Sequence, residues 1–215
     1  MKKGLLLGAA ALVVVLLGLF GRDLAGFFYL LRHVEDVTEA YQAVGPWPQV
    51  VDGCNGCHGA RGSSLHQRYP SLAAQPADYL GAQLRRFASD QRAYPNMQPL
   101  AKTLSAEEID NIAAYYARQP ALENRWFRPD PGLRARGEAL AVGCVACHGE
   151  KAMGQDRFPR LAGQGVDYLR VQLDAFAEGR RVDPSGAMAA VTAGLPPEDR
   201  QALAHYLAAL APPAH

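Results

Sequence analysis

The sequence predicts an all-α protein in which two tandem helical domains follow an N-terminal transmembrane helix. Three observations support this fold class. The second half of the chain repeats the first at an offset of about 90 residues, apolar residues recur at helical spacing in both copies, and an unbroken apolar run fills residues 4–20. No segment shows the two-residue alternation of a half-buried strand, so no sheet is predicted.

Composition excludes several classes of protein. The 215 residues carry a formal net charge of +1, with acidic and basic side chains mixed through both halves, so we predict no nucleic-acid partner. The 4 cysteines all fall in two Cys-x-x-Cys pairs, which argues against a general disulfide scaffold. The cysteines therefore have a local role.

The N-terminal apolar run predicts a membrane anchor. Seventeen residues at about 1.5 Å each give roughly 25 Å, so the helix would need to continue toward Phe27, Phe28 and Tyr29 to cross a ~30 Å core. A cleaved signal peptide is the alternative, but the run is longer than usual and no convincing cleavage site follows it. We predict an anchor over residues 1–31 and a tether over 32–46. We therefore predict a single-pass protein of a bacterial inner membrane, with the rest of the chain on the periplasmic side.

A duplicated sequence organises the remainder of the chain. The matching segments are Cys54–Gly59 with Cys144–Gly149, Tyr69–Ala73 with Phe158–Ala162, and Asp78–Leu80 with Asp167–Leu169. Isolated matches continue to Tyr115 and Tyr206, which indicates a duplicated domain. Proline-rich sequence between the copies reads as a linker. We predict a first domain over residues 47–120, a linker over 121–131 and a second domain over 132–215.

In each copy, apolar residues at helical spacing predict a helix after the cysteine motif and a second helix that closes the domain. Ser105 and Glu108 form a capping-box start for the closing helix of the first copy, and Pro197 opens its counterpart in the second. A helix before the motif is clear at residues 133–142. In the first copy, prolines at positions 46 and 48 leave only a short approach to Cys54.

The two motifs are Cys-x-x-Cys-His, the attachment signature of c-type haem. Cys54 and Cys57 precede His58, as Cys144 and Cys147 precede His148. Two thiols at this spacing can each bond one vinyl group of the porphyrin, and the adjacent imidazole then ligates the iron. A zinc site and a thioredoxin-like dithiol are alternatives, but neither predicts the histidines. We therefore predict two covalently bound haem c groups.

Met97 and Met188 are the candidate sixth ligands of the two irons. Each lies about forty residues after its histidine, in a Pro- or Gly-containing loop before the closing helix, and the two are equivalent in the repeat. Thioether sulfur stabilises Fe(II) and raises the potential of an electron-transfer haem. A packing role in the core and a bis-histidine haem are the alternatives.

Pro70 and Pro159 follow the two histidines at nearly equal spacing. A ligating histidine generally donates its other ring N–H to an oxygen, which fixes the ring plane. The carbonyl groups of Pro70 and Pro159 are candidate acceptors, and the alternative is that each proline only turns the chain.

With both motifs, the equivalent methionines and the repeat, residues 50–210 resemble the cytochrome c4 family of dihaem class I cytochromes. The resemblance implies two class I cytochrome c folds that pack about a pseudo-twofold axis, with haem c bonded at both cysteine pairs. It also implies His58 with Met97 and His148 with Met188 as axial ligands, and carbonyl acceptors at Pro70 and Pro159. The sequence departs from the family in its N-terminal anchor and in the shortened helix before Cys54.

The leading functional hypothesis is an electron carrier and not an enzyme, since two saturated irons leave no position for a small-molecule substrate. The expected partners are the membrane, a quinol-oxidising complex or dehydrogenase as donor, and a terminal oxidase as acceptor. A dedicated electron-transfer subunit of a membrane dehydrogenase or oxidase complex is the alternative. A dihaem peroxidase is the least favoured, because it needs an open iron position.

Overall fold

The computed structural model describes residues 2–42 and 50–213. In this part of the chain the regular structure is helical, without a β-strand, which confirms the predicted all-α class. The helices are α1 (Lys2–Gln42), α2 (Asp52–His58), α3 (Ala77–Ala88), α4 (Met97–Lys102), α5 (Ala106–Ala117), α6 (Pro131–Leu140), α7 (Val145–His148), α8 (Val166–Ala177), α9 (Ala187–Ala193) and α10 (Pro197–Ala209).

The chain divides into two compact units, residues 1–49 and 50–215. Helix α1 dominates the first unit and extends over 41 residues. The predicted membrane anchor and inner-membrane location are wrong: among residues 2–42 and 50–213, no helix combines the length and apolarity needed to span a bilayer. Arg22 and Asp23, which follow the apolar run, lie exposed within α1.

The second unit has the repeated plan that the sequence predicted. We call residues 50–120 the first half and residues 132–213 the second half. Helices α2, α3, α4 and α5 correspond in order to α7, α8, α9 and α10. Helix α6 precedes the second motif as predicted, and the prolines at positions 46 and 48 lie outside the described residues.

Local sequence signals explain where several helices begin. Ser105 Oγ accepts from Glu108 N at 3.2 Å while Ser105 N donates to a Glu108 carboxylate oxygen at 2.7 Å, which confirms the capping box at α5. At α6, Asp130 Oδ1 accepts from Leu133 N at 2.9 Å. Pro197 occupies the first turn of α10, where its missing N–H costs nothing.

Each half buries one stripe of its long helices. The buried residues of the first half include Leu80 and Phe87 of α3 and Ile109 and Ile112 of α5, so α3 packs against α5. In the second half, α10 packs against both α6 and α8. The buried residues there include Leu169, Phe176, Leu203 and Leu207. Residues of α3 and α5 line the space beside the first Cys-x-x-Cys-His motif.

Candidate haem sites

The first site is built on α2, which carries Cys54, Cys57 and His58 on one short helix. Gly59 follows with φ of 77°, a conformation that a side chain would strain, and a Cβ there would lie 2.1 Å from Ser63 O. The glycine therefore allows the chain to fold back tightly, directly after the histidine.

The ring of His58 is held by a backbone carbonyl. His58 Nδ1 lies 2.8 Å from Pro70 O, and the side chain is buried. Because a carbonyl oxygen can only accept, Nδ1 carries the proton and Nε2 keeps its lone pair. Burial lowers the pKa of His58 despite the opposing effect of the Pro70 carbonyl, which favours the neutral, metal-ligating imidazole.

The second site reproduces this arrangement. His148 ends α7, is buried, and places Nδ1 2.9 Å from Pro159 O. Burial lowers the pKa of His148 as well. Gly149 follows at φ 76°, as Gly59 does in the first half. The structure thus contains both histidine–proline contacts that the sequence suggested.

The cysteines are free thiols. Burial raises the pKa of Cys54 and Cys144, so both are held as neutral thiols, while Cys57 and Cys147 are exposed. Thiols that are not joined to each other remain available to bond a vinyl group. Within the described residues, no group of three or more His, Cys, Asp and Glu side chains could hold a metal ion, so the zinc alternative finds no ligand set there.

A cavity of about 440 Å³ lies beside α2. Its lining includes both cysteines of the first motif, His58 and Met97, which begins α4. Apolar side chains complete the wall, among them Leu80, Leu84, Phe87, Leu104 and Ile112. The volume falls within the roughly 300–1,000 Å³ of cofactor sites. Thiols, one imidazole, one thioether and an apolar wall together fit a covalently attached haem.

Met188 occupies the equivalent place in the second half. It is the second residue of α9, is half-buried, and donates its N–H to Asp183 Oδ1 at 3.1 Å. Two other histidines, His66 and His205, accept backbone N–H groups from Arg68 and Asp130 through their Nδ1 atoms.

Two arginines that the sequence reasoning missed lie between the halves. Arg92 of the first half donates to Gln172 at 2.9 Å, and Arg181 of the second half donates to Tyr79 and Gln83, each at 3.1 Å. Each guanidinium lies over a phenylalanine of its own half at 4.6 Å, Arg92 over Phe87 and Arg181 over Phe176.

Among the described residues, no carboxylate forms an ion pair with Arg92 or Arg181. Burial raises the pKa of Tyr168 beside them, but the two positive charges outweigh burial and lower it to about 8. Arg92 also lines the cavity, so its charge suits the carboxylate groups that a haem carries. The signal that could have revealed these residues is their repetition at equivalent positions, 89 residues apart, as for Phe87 and Phe176.

Comparisons with known proteins match both halves of the chain to cytochrome families. Residues 134–211 match the family model described as cytochrome c, and residues 47–115 match the model described as cytochrome C oxidase, cbb3-type, subunit III. A cytochrome c4 from Thiocapsa roseopersicina is 34% identical, over 80% of this chain and 99% of its own length.

Two further proteins extend the comparison. A thiosulfate dehydrogenase electron acceptor from Stutzerimonas stutzeri is 35% identical, over 86% of this chain and 93% of its own length. The crystal structure of reduced cytochrome c4 from Pseudomonas stutzeri superposes with a TM-score of 0.70 and 31% identity, covering 74% of this chain and 94% of that one.

The repeated helical fold and its two Cys-x-x-Cys-His sites define an electron-transfer cytochrome of the c type, with two covalently bound haem c groups. Within that class, the chain belongs to the cytochrome c4 family.

Proposed function

We propose that this chain is a dihaem carrier that accepts electrons from a thiosulfate-oxidising dehydrogenase and delivers them to a terminal oxidase. The proposed donor is supported by the 35% identity to a thiosulfate dehydrogenase electron acceptor, along most of the length of both proteins. This donor belongs to the dehydrogenase class that the sequence suggested.

The proposal assigns a role to each site residue. Cys54 and Cys57 bond one haem and Cys144 and Cys147 the other, while His58 with Met97 and His148 with Met188 ligate the irons. The free Nε2 of each histidine and the cavity shared by His58 and Met97 support this assignment. Haem supplies the reversible one-electron chemistry, and the protein tunes its potential through these ligands and through burial.

Attachment is tested by replacing both cysteines of one motif. The Cys54→Ser/Cys57→Ser and Cys144→Ser/Cys147→Ser variants should each lose one covalent haem, because serine cannot form the thioether. Intact-protein mass spectrometry after denaturation measures the loss directly. A variant that retained both covalent haems would contradict the assignment.

The donor is tested by mixing the oxidised, fully haem-loaded chain with a purified thiosulfate dehydrogenase. We expect both haems to be reduced when thiosulfate is added, followed by visible absorption, and no reduction without thiosulfate. A quinol-oxidising complex with its quinol serves as the competing donor. Reduction by that complex, together with none by the dehydrogenase, would overturn the proposed donor while leaving an electron carrier.

A further inference from the structure

Gln75 and Gln164 are buried glutamines at equivalent positions of the two halves. Among the described residues, neither side chain forms a hydrogen bond to the backbone that follows the proline of its own half. Instead, the side chain of Gln75 binds the backbone of Arg160, donating from Nε2 to Arg160 O at 2.8 Å and accepting from Arg160 N at 2.9 Å. Each hydrogen bond therefore crosses from the first half to the second.

The hydrogen bonds from the second half to the first follow the same pattern. Gln164 of the second half donates from Nε2 to Ser71 O at 2.7 Å and accepts from Ser71 N at 2.8 Å. Four direct hydrogen bonds thus connect two glutamines to two backbone segments, in a pseudo-twofold pattern. Such a pattern fits a shared role better than incidental packing.

The residues bound by these glutamines directly follow Pro70 and Pro159. The N–H of Ser71 and the C=O of Pro70 belong to one peptide unit, and the same is true of Arg160 and Pro159. Pro159 O lies 2.9 Å from His148 Nδ1, while the other end of that peptide donates to Gln75. One planar peptide therefore links a glutamine of one half to the histidine of the other.

A peptide that donates through its N–H becomes a stronger acceptor at its C=O, because hydrogen bonds in a chain polarise one another by about 10–30%. A stronger acceptor at the proline pulls the proton of the histidine N–H toward itself, which leaves more electron density on the ring and raises its basicity as a ligand. A more basic ligand stabilises Fe(III). Electron density at an iron bound by either histidine would thus depend on a residue of the opposite half.

The guanidinium of Arg160 reinforces one of the two links. It is almost completely buried and donates from Nη2 at 2.8 Å and from Nε at 3.2 Å to Ala73 O, two residues before Gln75. It also donates from Nη1 to Ala162 O. These contacts hold the Pro159–Arg160 peptide against the first half, whereas Ser71 at the equivalent position has no comparable side chain.

We infer that Gln75 and Gln164 are positioning residues that act across the interface, each tuning the axial histidine of the opposite half through the peptide that follows its proline. This inference rests on His58 and His148 being iron ligands, as proposed above. It predicts a crossed response: a change in one half alters the haem of the other.

The test uses the full chain with both haems loaded. Gln75→Met and Gln164→Met keep the side-chain length and remove both hydrogen bonds. Gln75→Asn and Gln164→Asn, one methylene shorter, keep polarity in the buried site but cannot reach both backbone groups. Gln119→Met is the matched control, because Gln119 is also buried but donates to Tyr115 O within its own half.

The measurements are the reduction equilibrium of each haem, assigned by NMR of the haem methyl groups, and the ¹⁵N signal of each histidine Nδ1. In the Gln75 variants we expect the second-half equilibrium to shift toward Fe(II) by roughly two- to tenfold, with a change at His148 Nδ1 and a smaller change in the first half. The Gln164 variants should give the mirror result at His58, and the control should change neither.

An equal response of both haems, or a larger response in the variant's own half, would overturn the inference. Haem loss in the Gln75 and Gln164 variants alike would also overturn it, since the glutamines would then serve folding alone. The proposed donor is tested separately by reduction of the unaltered chain, so a crossed response together with no reduction by the dehydrogenase would reject only the donor.

Discussion

The two histidines show how a single backbone acceptor decides the chemistry of a ligand. His58 and His148 each lie within 2.9 Å of a proline carbonyl through Nδ1, which leaves Nε2 as the free donor atom. Burial lowers the pKa of both rings. A neutral ring with a fixed tautomer is preorganised to ligate a metal, which suits the role proposed for both histidines.

Replacement of a proposed methionine ligand should open one iron position. In the Met97→Ala and Met188→Ala variants we expect the thioether-to-iron charge-transfer band to fall by about half and the reduced protein to bind carbon monoxide at one haem. Absorption spectroscopy with carbon monoxide titration measures both effects. Met153→Ala is the control, because Met153 is half-buried but has no equivalent in the first half.

The methionine assignment would be contradicted by an unchanged band in both variants. A band lost in Met97→Ala but retained in Met188→Ala would restrict thioether ligation to the first site. The control should keep the band and remain unreactive toward carbon monoxide, since a packing methionine contributes only to stability.

At the scale of secondary structure, α6 and α10 approach so closely that one position requires glycine. A Cβ on Gly137 of α6 would lie 2.1 Å from Ala202 O and 2.7 Å from the Cβ of Tyr206 on α10. Glycine normally weakens a helix interior by about 1 kcal/mol relative to alanine. Gly137 is nevertheless required, because a side chain at this position would prevent α6 from packing so closely against α10, the closing helix of the second half.

Gly137→Ala should therefore destabilise the second half even though alanine favours the helix. We expect the free energy of unfolding to fall by ~1–3 kcal/mol, the usual effect of overpacking a tight contact. Chemical denaturation of the haem-loaded protein measures it. Gly132→Ala on the same helix is the comparison: its Cβ would meet only the Asp130 side chain at 3.3 Å, a much looser contact, so any loss of stability should be smaller than for Gly137→Ala.

The sequence predicted those features that local chemistry determines. The capping box at Ser105, the proline start of α10 and the helix before Cys144 each follow from neighbouring residues. The histidine–proline contacts were suggested because the motif and its spacing are duplicated. The assignments of Met97 and Met188 as ligands remain predictions, and so do the domain boundaries at 120 and 132.

Other features depend on how the two halves meet, which no local pattern reveals. Gln75, Gln164 and Arg160 look like ordinary polar residues in the sequence, yet all three are buried with partners 85 to 93 residues away. The predicted anchor also differs from the structure, in which the apolar run forms part of a single helix of 41 residues.

For the molecule as a whole, the interface between the halves includes two polar clusters to which both halves contribute equivalent residues. One is the glutamine–backbone pattern described above. The other is the cluster formed by Arg92 and Arg181 with Gln83 and Gln172, in which both glutamine oxygens accept from both arginines. Hydrogen bonds to charged groups contribute about 1.5–3 kcal/mol each, so this cluster is expected to couple the stability of the two halves.

Removal of both arginines should uncouple the halves without removing either haem. Arg92→Met/Arg181→Met retains the apolar stem over each phenylalanine but loses the crossing hydrogen bonds, so we expect the two halves to unfold at more widely separated temperatures than in the unaltered protein. Calorimetry of the haem-loaded chain gives that interval. Arg85→Met is the control, because Arg85 is exposed and pairs with Asp110 of its own half. An interval that widened equally in the control, or in neither variant, would show that the arginine cluster does not couple the two halves.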